Sequence, residues 1–476
     1  MRPFCNQCEP PMTELLSPAG TLRNMRYAFA YGADAVYAGQ PRYSLRVRNN
    51  DFDMANLATG IEEAHAQGKK LYVASNIAPH NSKIKTYLRD IEPVIEMGPD
   101  ALIMSDPGMM MLIKEKWPDQ ELHLSVQANA VNWATVKFWH DYGLKRVILS
   151  RELSLDEIAE IRAKVPDMEI ETFVHGSLCI AYSGRCLLSG YFNRRDPNQG
   201  SCTNSCRWQY DVKDAKEELS GDIVPADGSH LVEQANKEAQ MFDPAGFDTL
   251  SLDGNSDFKT TLGEGKPYED VVLLREQGRE GEYMPAFEDE HGTYIMNSRD
   301  LRAIQHVEKL IEMGVHSLKI EGRTKSHFYA ARTAQLYRQA IDDATHGRAF
   351  DMSLMDRLEG LANRGYTEGF YRRHVHDKYQ NYQHGNSMST KQQFVAEMKG
   401  WHNGMLTLDV KNRFKVGDSI ELITPKGSRT IQINAMMNKK GETVSVAPGS
   451  GHVVSIPCEF EPADIEYGLV MRNLPN

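Results

Sequence analysis

Short apolar runs alternate with amphipathic stretches from Glu14 to Ala344, and this alternation limits the folds open to the chain more than any other feature. Leu15-Leu16-Ser17-Pro18-Ala19-Gly20, Ala35-Val36-Tyr37-Ala38, Leu71-Tyr72-Val73-Ala74 and Ala101-Leu102-Ile103-Met104 read as buried strands. So do Leu122 to Val126, Val147-Ile148-Leu149 and Ile170 to Val174. Residues 24–31, 61–67, 83–97, 107–116, 132–142 and 154–164 read as the intervening helices, and several stop at a glycine, as at Gly32, Gly68, Gly98 and Gly143. An eighth strand, His316 to Glu321, follows an expected helix from Leu301 to Met313 and precedes another from His327 to Ala344. Strands that alternate with helices pair in parallel through right-handed crossovers. Eight such units predict an α/β fold, a closed (β/α)8 TIM-like barrel. No Gly-x-Gly-x-x-Gly fingerprint is present, which speaks against an open dinucleotide-binding sheet.

The pattern divides the chain. Residues 1–12 read as a tail that holds Cys5-x2-Cys8, and 13–345 as the barrel. An insertion over 176–293 follows strand seven and therefore opens at the C-terminal face, where barrels keep their chemistry. Its polar part, 211–282, is expected to be irregular, a lid and not a core. Residues 346–390 read as a connection. From 391 to 476 the texture becomes that of a small all-β, barrel-like domain, with short runs at 405–410, 419–422, 430–433 and 443–446 and turns such as Asn403-Gly404.

Composition excludes several classes. With 41% hydrophobic and 25% charged residues, the 476-residue chain is ordinary for a globular protein. It has no run of 18 apolar residues and no secretory h-region near Met1, so a cytoplasmic location is expected. A net charge of −11 is not that of a strongly basic nucleic-acid binder, so any RNA contact must come from a local patch and be sensitive to salt.

Four of the seven cysteines fall between 179 and 206, spaced Cys179-x6-Cys186-x15-Cys202-x3-Cys206. In a reducing compartment such a cluster points to metal or catalysis before disulfides. Only Cys202-x3-Cys206 has the paired spacing of a zinc knuckle. Four thiolates at irregular spacing suit a cubane iron–sulfur cluster, with zinc or plain thiols as the other readings. Polar residues past the strand ends (Gln40, Tyr43, Asn76, Asp106, Gln127, Asn129, Arg151, Glu152, Asn297 and Arg299 among them) converge on one mouth. There His175 and Glu321, on strands seven and eight, are candidate acid–base partners. Arg42, Arg46, Arg48, Lys319, Arg323 and Lys325 offer cations for carboxylate or phosphate ligands.

Glu171-Thr-Phe-Val-His-Gly-Ser-Leu-Cys179 and Gly184-Arg-Cys186-Leu-Leu-Ser189 resemble the signature of the collagenase-like peptidase U family. Leu16 to Gly20, Gly32 to Gly39 and Lys319 to Arg323 are similar to other stretches of it. No Ser-His-Asp arrangement or His-Glu-x-x-His helix accompanies the peptidase name. The resemblance implies oxygen-independent hydroxylases of ubiquinone precursors, ribosomal RNA or tRNA, with a 4Fe-4S iron–sulfur cluster on Cys179, Cys186, Cys202 and Cys206. The length, the C-terminal domain and the stretch Arg42 to Arg48 are most similar to the members that form 5-hydroxyuridine at the tRNA wobble position in a prephenate-dependent reaction. Arg42, Arg46 and Arg323 would then anchor the dicarboxylate. The rival readings are a peptidase, or an RNA-binding protein with a structural metal site.

Overall fold

The computed structural model describes residues 13–45, 51–178, 210–217, 223–225, 266–276, 284–289, 292–293, 300–361, 363, 365–372, 391–459, 462 and 465–474. Eight parallel strands close into a barrel. They are β1 (Glu14–Pro18), β2 (Ala35–Gly39), β3 (Lys70–Ser75), β4 (Ala101–Met104), β5 (Leu122–Leu124), β6 (Arg146–Ile148), β7 (Glu169–Ser177) and β8 (Ser317–Ile320). Each pairs with the next in sequence, and β8 closes the ring by pairing with β1 through Glu14↔Ser317, Leu15↔Leu318 and Leu16↔Lys319. The outer layer holds α1 (Leu22–Ala30), α2 (Met54–Ala66), α3 (Asn81–Glu96), α4 (Pro107–Lys116), α5 (Trp133–Asp141) and α6 (Leu155–Lys164), then α7 (Val307–Glu312) and α8 (His327–Thr345). Helix starts follow the local chemistry. Thr21, Asp53, Asp106, Asn132 and Ser326 cap N-termini with their side chains, and Ser154 forms a reciprocal capping box with Glu157.

The two faces of the barrel sheet differ in kind. Leu15, Val36, Leu71, Val73, Leu102, Val147, Ile170 and Leu318 fall on the side covered by helices. The inner side carries Glu14, Tyr72, His123, Arg146, Glu171 and Lys319, all shielded from solvent. Arg146 binds Glu14 at 2.6 Å, Glu169 at 2.9 Å and Glu171 at 3.2 Å, and Lys319 binds the other oxygen of Glu171 at 2.8 Å.

β7 is longer than its neighbours because it changes partners. Lys319 pairs with Phe173 but Ile320 with His175, so Val174 is an extra residue, a bulge. The carbonyls exposed there are met by hydroxyls: Tyr337 donates to Val174 O at 2.7 Å and Tyr371 to Phe173 O at 2.5 Å. Beyond the bulge, residues 175–177 pair antiparallel with the strand Asp300–Arg302. The expected helix from Leu301 is corrected accordingly. Leu301 pairs with Gly176, and the α-helix begins only at Val307.

The C-terminal domain is an antiparallel sheet. It contains β9 (Gln392–His402), β10 (Met405–Val410), β11 (Ser419–Thr424), β12 (Gly427–Gln432), β13 (Val453–Pro457) and β14 (Leu469–Asn473), in the order β12-β11-β14-β9-β10-β13. Asn403-Gly404 joins β9 to β10 with both residues at positive φ, as a tight hairpin requires. Val395, Leu406, Leu408, Ile420, Leu422, Val454, Ile456 and Val470 fill its core. The domain is fixed to the barrel's outer helices. Arg332 of α8 donates to both carboxylate oxygens of Glu421 at 3.1 Å, and both residues are buried. Tyr31 donates to the Tyr467 carbonyl at 2.8 Å, and Phe328 stacks on Phe394.

A second compact unit covers residues 204–298 and 380–386. Within it Tyr210–Glu217, Ile223–Pro225, Lys266–Glu276, Met284–Asp289 and Gly292–Thr293 form an antiparallel sheet. The expectation of an irregular 211–282 is corrected at these strands. Their high polarity hides an alternation that pairs Val212 with Leu274 and Lys213 with Leu273.

Gly176 stands at φ +106°, and a Cβ there would collide with the Glu321 carbonyl oxygen. Gly176→Ala is therefore expected to cost about 2 kcal/mol or more. A urea denaturation midpoint that falls accordingly, with unchanged slope, is the result to look for.

Candidate active site at the barrel mouth

At the C-terminal ends of the strands, the inner face passes from charge network to aromatic floor. The Lys319 ammonium lies 4.3 Å from the Tyr37 ring centre and 5.5 Å from that of Phe173. The Tyr37 hydroxyl donates to the Ile320 carbonyl at 3.0 Å. Burial, with the Glu321 carboxylate next in effect, holds that phenol well above its ordinary range, so it stays protonated. Burial also lowers the Lys319 ammonium, against the pull of Glu171.

Two guanidinium groups flank this floor. Arg151 lies 3.8 Å above the Phe173 ring centre and donates to Glu321 at 2.9 Å. Arg323 donates to the Ser44 hydroxyl at 2.6 Å and lies 5.7 Å from the Tyr37 ring centre. Both side chains are largely buried, so each acts in a medium where charge counts for more than in water. Around the rim, Asn76 donates to Ser125 at 3.1 Å, and Ser150 donates to Asn129 at 2.9 Å and also bonds Glu152. Such a cluster, with cations packed on buried aromatic rings at the strand ends, has the chemistry to meet a small ring that bears carboxylates, or a flat base beside an anion.

The predicted residues do not all share this cluster. Glu321 and Arg323 lie in it. Arg42, at φ +71° and exposed, turns outward to Asp90 of α3 at 2.7 Å, while Ser44 of the same loop receives Arg323. His175 is enclosed among Tyr329, Tyr337 and Tyr366, with ring centres 5.9, 5.5 and 5.4 Å away, and its Nδ1 lies 3.3 Å from the Tyr337 hydroxyl. The bulge at Val174 reverses the alternation and turns this ring toward α8. What His175 gives to the mouth is its carbonyl, which accepts from the Glu321 backbone amide at 2.8 Å. Cys179, Cys186, Cys202, Cys206 and Arg46 lie outside the described residues. Among the described residues no group of three or more His, Cys, Asp or Glu is arranged to hold a metal ion. No helix there is long and apolar enough to cross a membrane.

Sequence reasoning missed Tyr37, Phe173 and Ser44. Tyr37 and Phe173 sit at inward positions of runs read only as apolar, and counting by twos from Gly39 and Glu171 would have found them.

A model of peptidase family U32 matches residues 20–381, and one of that family's C-terminal domain matches 390–472. The chain belongs to peptidase family U32. The resemblance in the motifs around Cys179 and Arg323 is thereby borne out. This U32 chain is 62% identical over 463 residues to the Escherichia coli (strain K12) tRNA hydroxylation protein P, covering 97% of this chain and 96% of that one. It is 60% identical over 468 residues to the Haemophilus influenzae protein of the same name, with the same coverage. A more distant relative is the Escherichia coli 23S rRNA 5-hydroxycytidine C2501 synthase, at 30% identity over 358 residues, 75% of this chain and 42% of that one.

Burial holds the His175 imidazole down to about 3, against an ordinary value of 6.5. Between these limits the unfolded chain binds a proton that the native state refuses. The residue's contribution is therefore complete above pH 6.5 and is lost as pH falls, by about 1.4 kcal/mol per unit. His175→Gln is expected to flatten the stability–pH profile between pH 6 and 4, measured by urea titration at each pH.

Proposed function

We propose that this U32 chain is a tRNA-modifying hydroxylase that forms 5-hydroxyuridine at the wobble position, in a prephenate-dependent reaction. The observation that carries the reading is the 60–62% identity, over 96% of their length, to two proteins named for tRNA hydroxylation. The ribosomal RNA relative named for 5-hydroxycytidine supports the same chemistry, a hydroxyl on the C5 carbon of a pyrimidine.

That conversion replaces hydrogen by hydroxyl and removes two electrons from the base. It therefore needs an oxidant, a place for the base and a group that manages protons. We assign Cys179, Cys186, Cys202 and Cys206 as ligands of a 4Fe-4S cluster. Four thiolates are the donor set such a cluster requires, and when bound it supplies one-electron transfer. Sequence distance alone supports their placement near the mouth: β7 ends at Ser177, two residues before Cys179.

The chain's own residues divide the remaining work. The buried rings of Tyr37 and Phe173 pack against Lys319 and carry Arg323 and Arg151 beside them, so they fix where these cations stand. Arg323, with Arg151 and Arg46, is the proposed anchor for the two carboxylates of prephenate, and planar guanidinium groups bind carboxylates through paired N–H donors. Glu321 holds Arg151 in place and is the proposed carboxylate for proton handling. His175, neutral and enclosed, positions Glu321 through its carbonyl. The proposed substrate makes the cytoplasm the expected location.

Mass spectrometry of tRNA nucleosides tests this in a strain lacking the gene and complemented with variants. The wild-type chain is expected to restore 5-hydroxyuridine, and Cys186→Ala to abolish it. Arg151→Ala and Arg323→Ala should each reduce it by roughly ten-fold or more, while Arg42→Ala, turned to Asp90, changes it little. Anaerobically purified protein should hold about four iron and four sulfide per chain. A wild-type chain that restores no hydroxylated uridine would end the reading.

A further inference from the structure

The chain has a net charge of −11, yet from Lys391 to Asn476 ten Lys and Arg stand against nine Asp and Glu. The acidity therefore belongs to the rest of the chain, and the C-terminal domain is slightly basic. Its cations are also unevenly placed. β-Pairing gathers several of them at one end of the domain. The short strand Phe414–Lys415 pairs with Val446–Ala447, matching Lys415 with Val446. Three residues before Val446, Thr443 bridges Met437, and the hairpin closed there carries Lys439 and Lys440 at its tip. The Val410 amide bonds the His452 carbonyl, and Asn438 pairs with Val454, so the end of β10 and the hairpin border the same start of β13.

Arg413, Lys415, Lys439 and Lys440 are all exposed, and among the described residues none is paired with a carboxylate. The two acids nearby are engaged. Asp418 binds Arg472 at 3.7 Å and accepts from the Lys415 backbone amide at 2.8 Å, and Glu442 accepts from Asn438 at 2.8 Å. The other basic residues at this end are spent within the domain, since Lys411 binds Asp409 and Arg472 binds Asp418. From Lys415, opposite Val446, to Lys440 at the hairpin tip is six residues of backbone, at most about 20 Å counting about 3.3 Å for each. That is up to about six nucleotides of one strand.

We infer that this stripe, formed by Arg413, Lys415, Lys439 and Lys440 at one end of the C-terminal domain, is a docking surface for the phosphate backbone of tRNA. The inference rests on the proposed tRNA reading and adds the surface that lets an acidic protein hold a polyanion. Its recognition is by charge along a backbone and not by base edges, because the four groups are flexible or forked cations on an open surface. Sequence reading at the base is then left to the barrel mouth. The stripe sets affinity and gives it a steep salt dependence.

The test uses the full chain and fluorescence-labelled, unmodified tRNA, with anisotropy titrations across a series of KCl concentrations. Lys439→Glu with Lys440→Glu is compared with a charge-matched control on the barrel helices, Lys116→Glu with Lys137→Glu. The stripe variant is expected to bind at least ten-fold more weakly than the wild type at 100 mM salt (about that ionic strength), with a log–log salt slope shallower by about two. The neutral pair Lys439→Gln with Lys440→Gln should fall between, and thermal melting of all variants should match the wild type. Equal weakening in the control, or unchanged affinity in the stripe variant, overturns the docking surface and leaves the tRNA reading intact. A wild-type chain with no tRNA affinity at any salt concentration overturns both.

Discussion

Glu171 sits at the centre of the barrel with no solvent exposure, and its two oxygens are claimed by Arg146 and Lys319. Most TIM-like barrels fill this space with branched apolar side chains. Here the filling is ionic, and burial of charge is tolerated only when every group is paired and hydrogen-bonded. Glu14 and Glu169 complete the set around Arg146. The network's upper member, Lys319, is what reaches the mouth between Tyr37 and Phe173. A positive centre under two aromatic rings is thus held by bonds that run the depth of the barrel.

The bulge in β7 is the second determinant. One extra residue, Val174, lets the strand leave the parallel ring and pair with Asp300–Arg302. It turns His175 away from the mouth and brings its carbonyl to the Glu321 amide. The exposed carbonyls on this stretch are satisfied by Tyr337 and Tyr371. The tyrosines of α8 and of the segment after it therefore belong to the machinery that shapes the site, although none belongs to the eight barrel strands.

The barrel was legible because its helix-covered face is continuous in apolar residues, and period and punctuation then give the strand count. Glu321 and Arg323 were legible too, since they follow a strand end. His175 was not, because a bulge has no signature in a run such as Thr172-Phe-Val-His175. Arg42 and Arg323 look alike in sequence, and only the left-handed backbone at Arg42 sends one outward. In the C-terminal domain the hairpin at Asn403-Gly404 was plain. β9, the longest strand, was not, because it begins Gln392-Gln393 and holds Glu397 and Lys399 within it. Glu397 is buried against Arg23 and Lys411 and serves the contact with the barrel, which alternation alone does not show.

The Arg332–Glu421 pair has a geometric corollary. A buried ion pair in which one guanidinium nitrogen spans both carboxylate oxygens, reinforced by Tyr31 and by the Phe328–Phe394 stack, ties the C-terminal domain to the barrel's helices. A backbone held on the inferred stripe would then sit at a set span from the barrel's opening. On the docking surface inferred above, such a molecule would work as a caliper, its jaws selecting a target by distance before any chemistry begins.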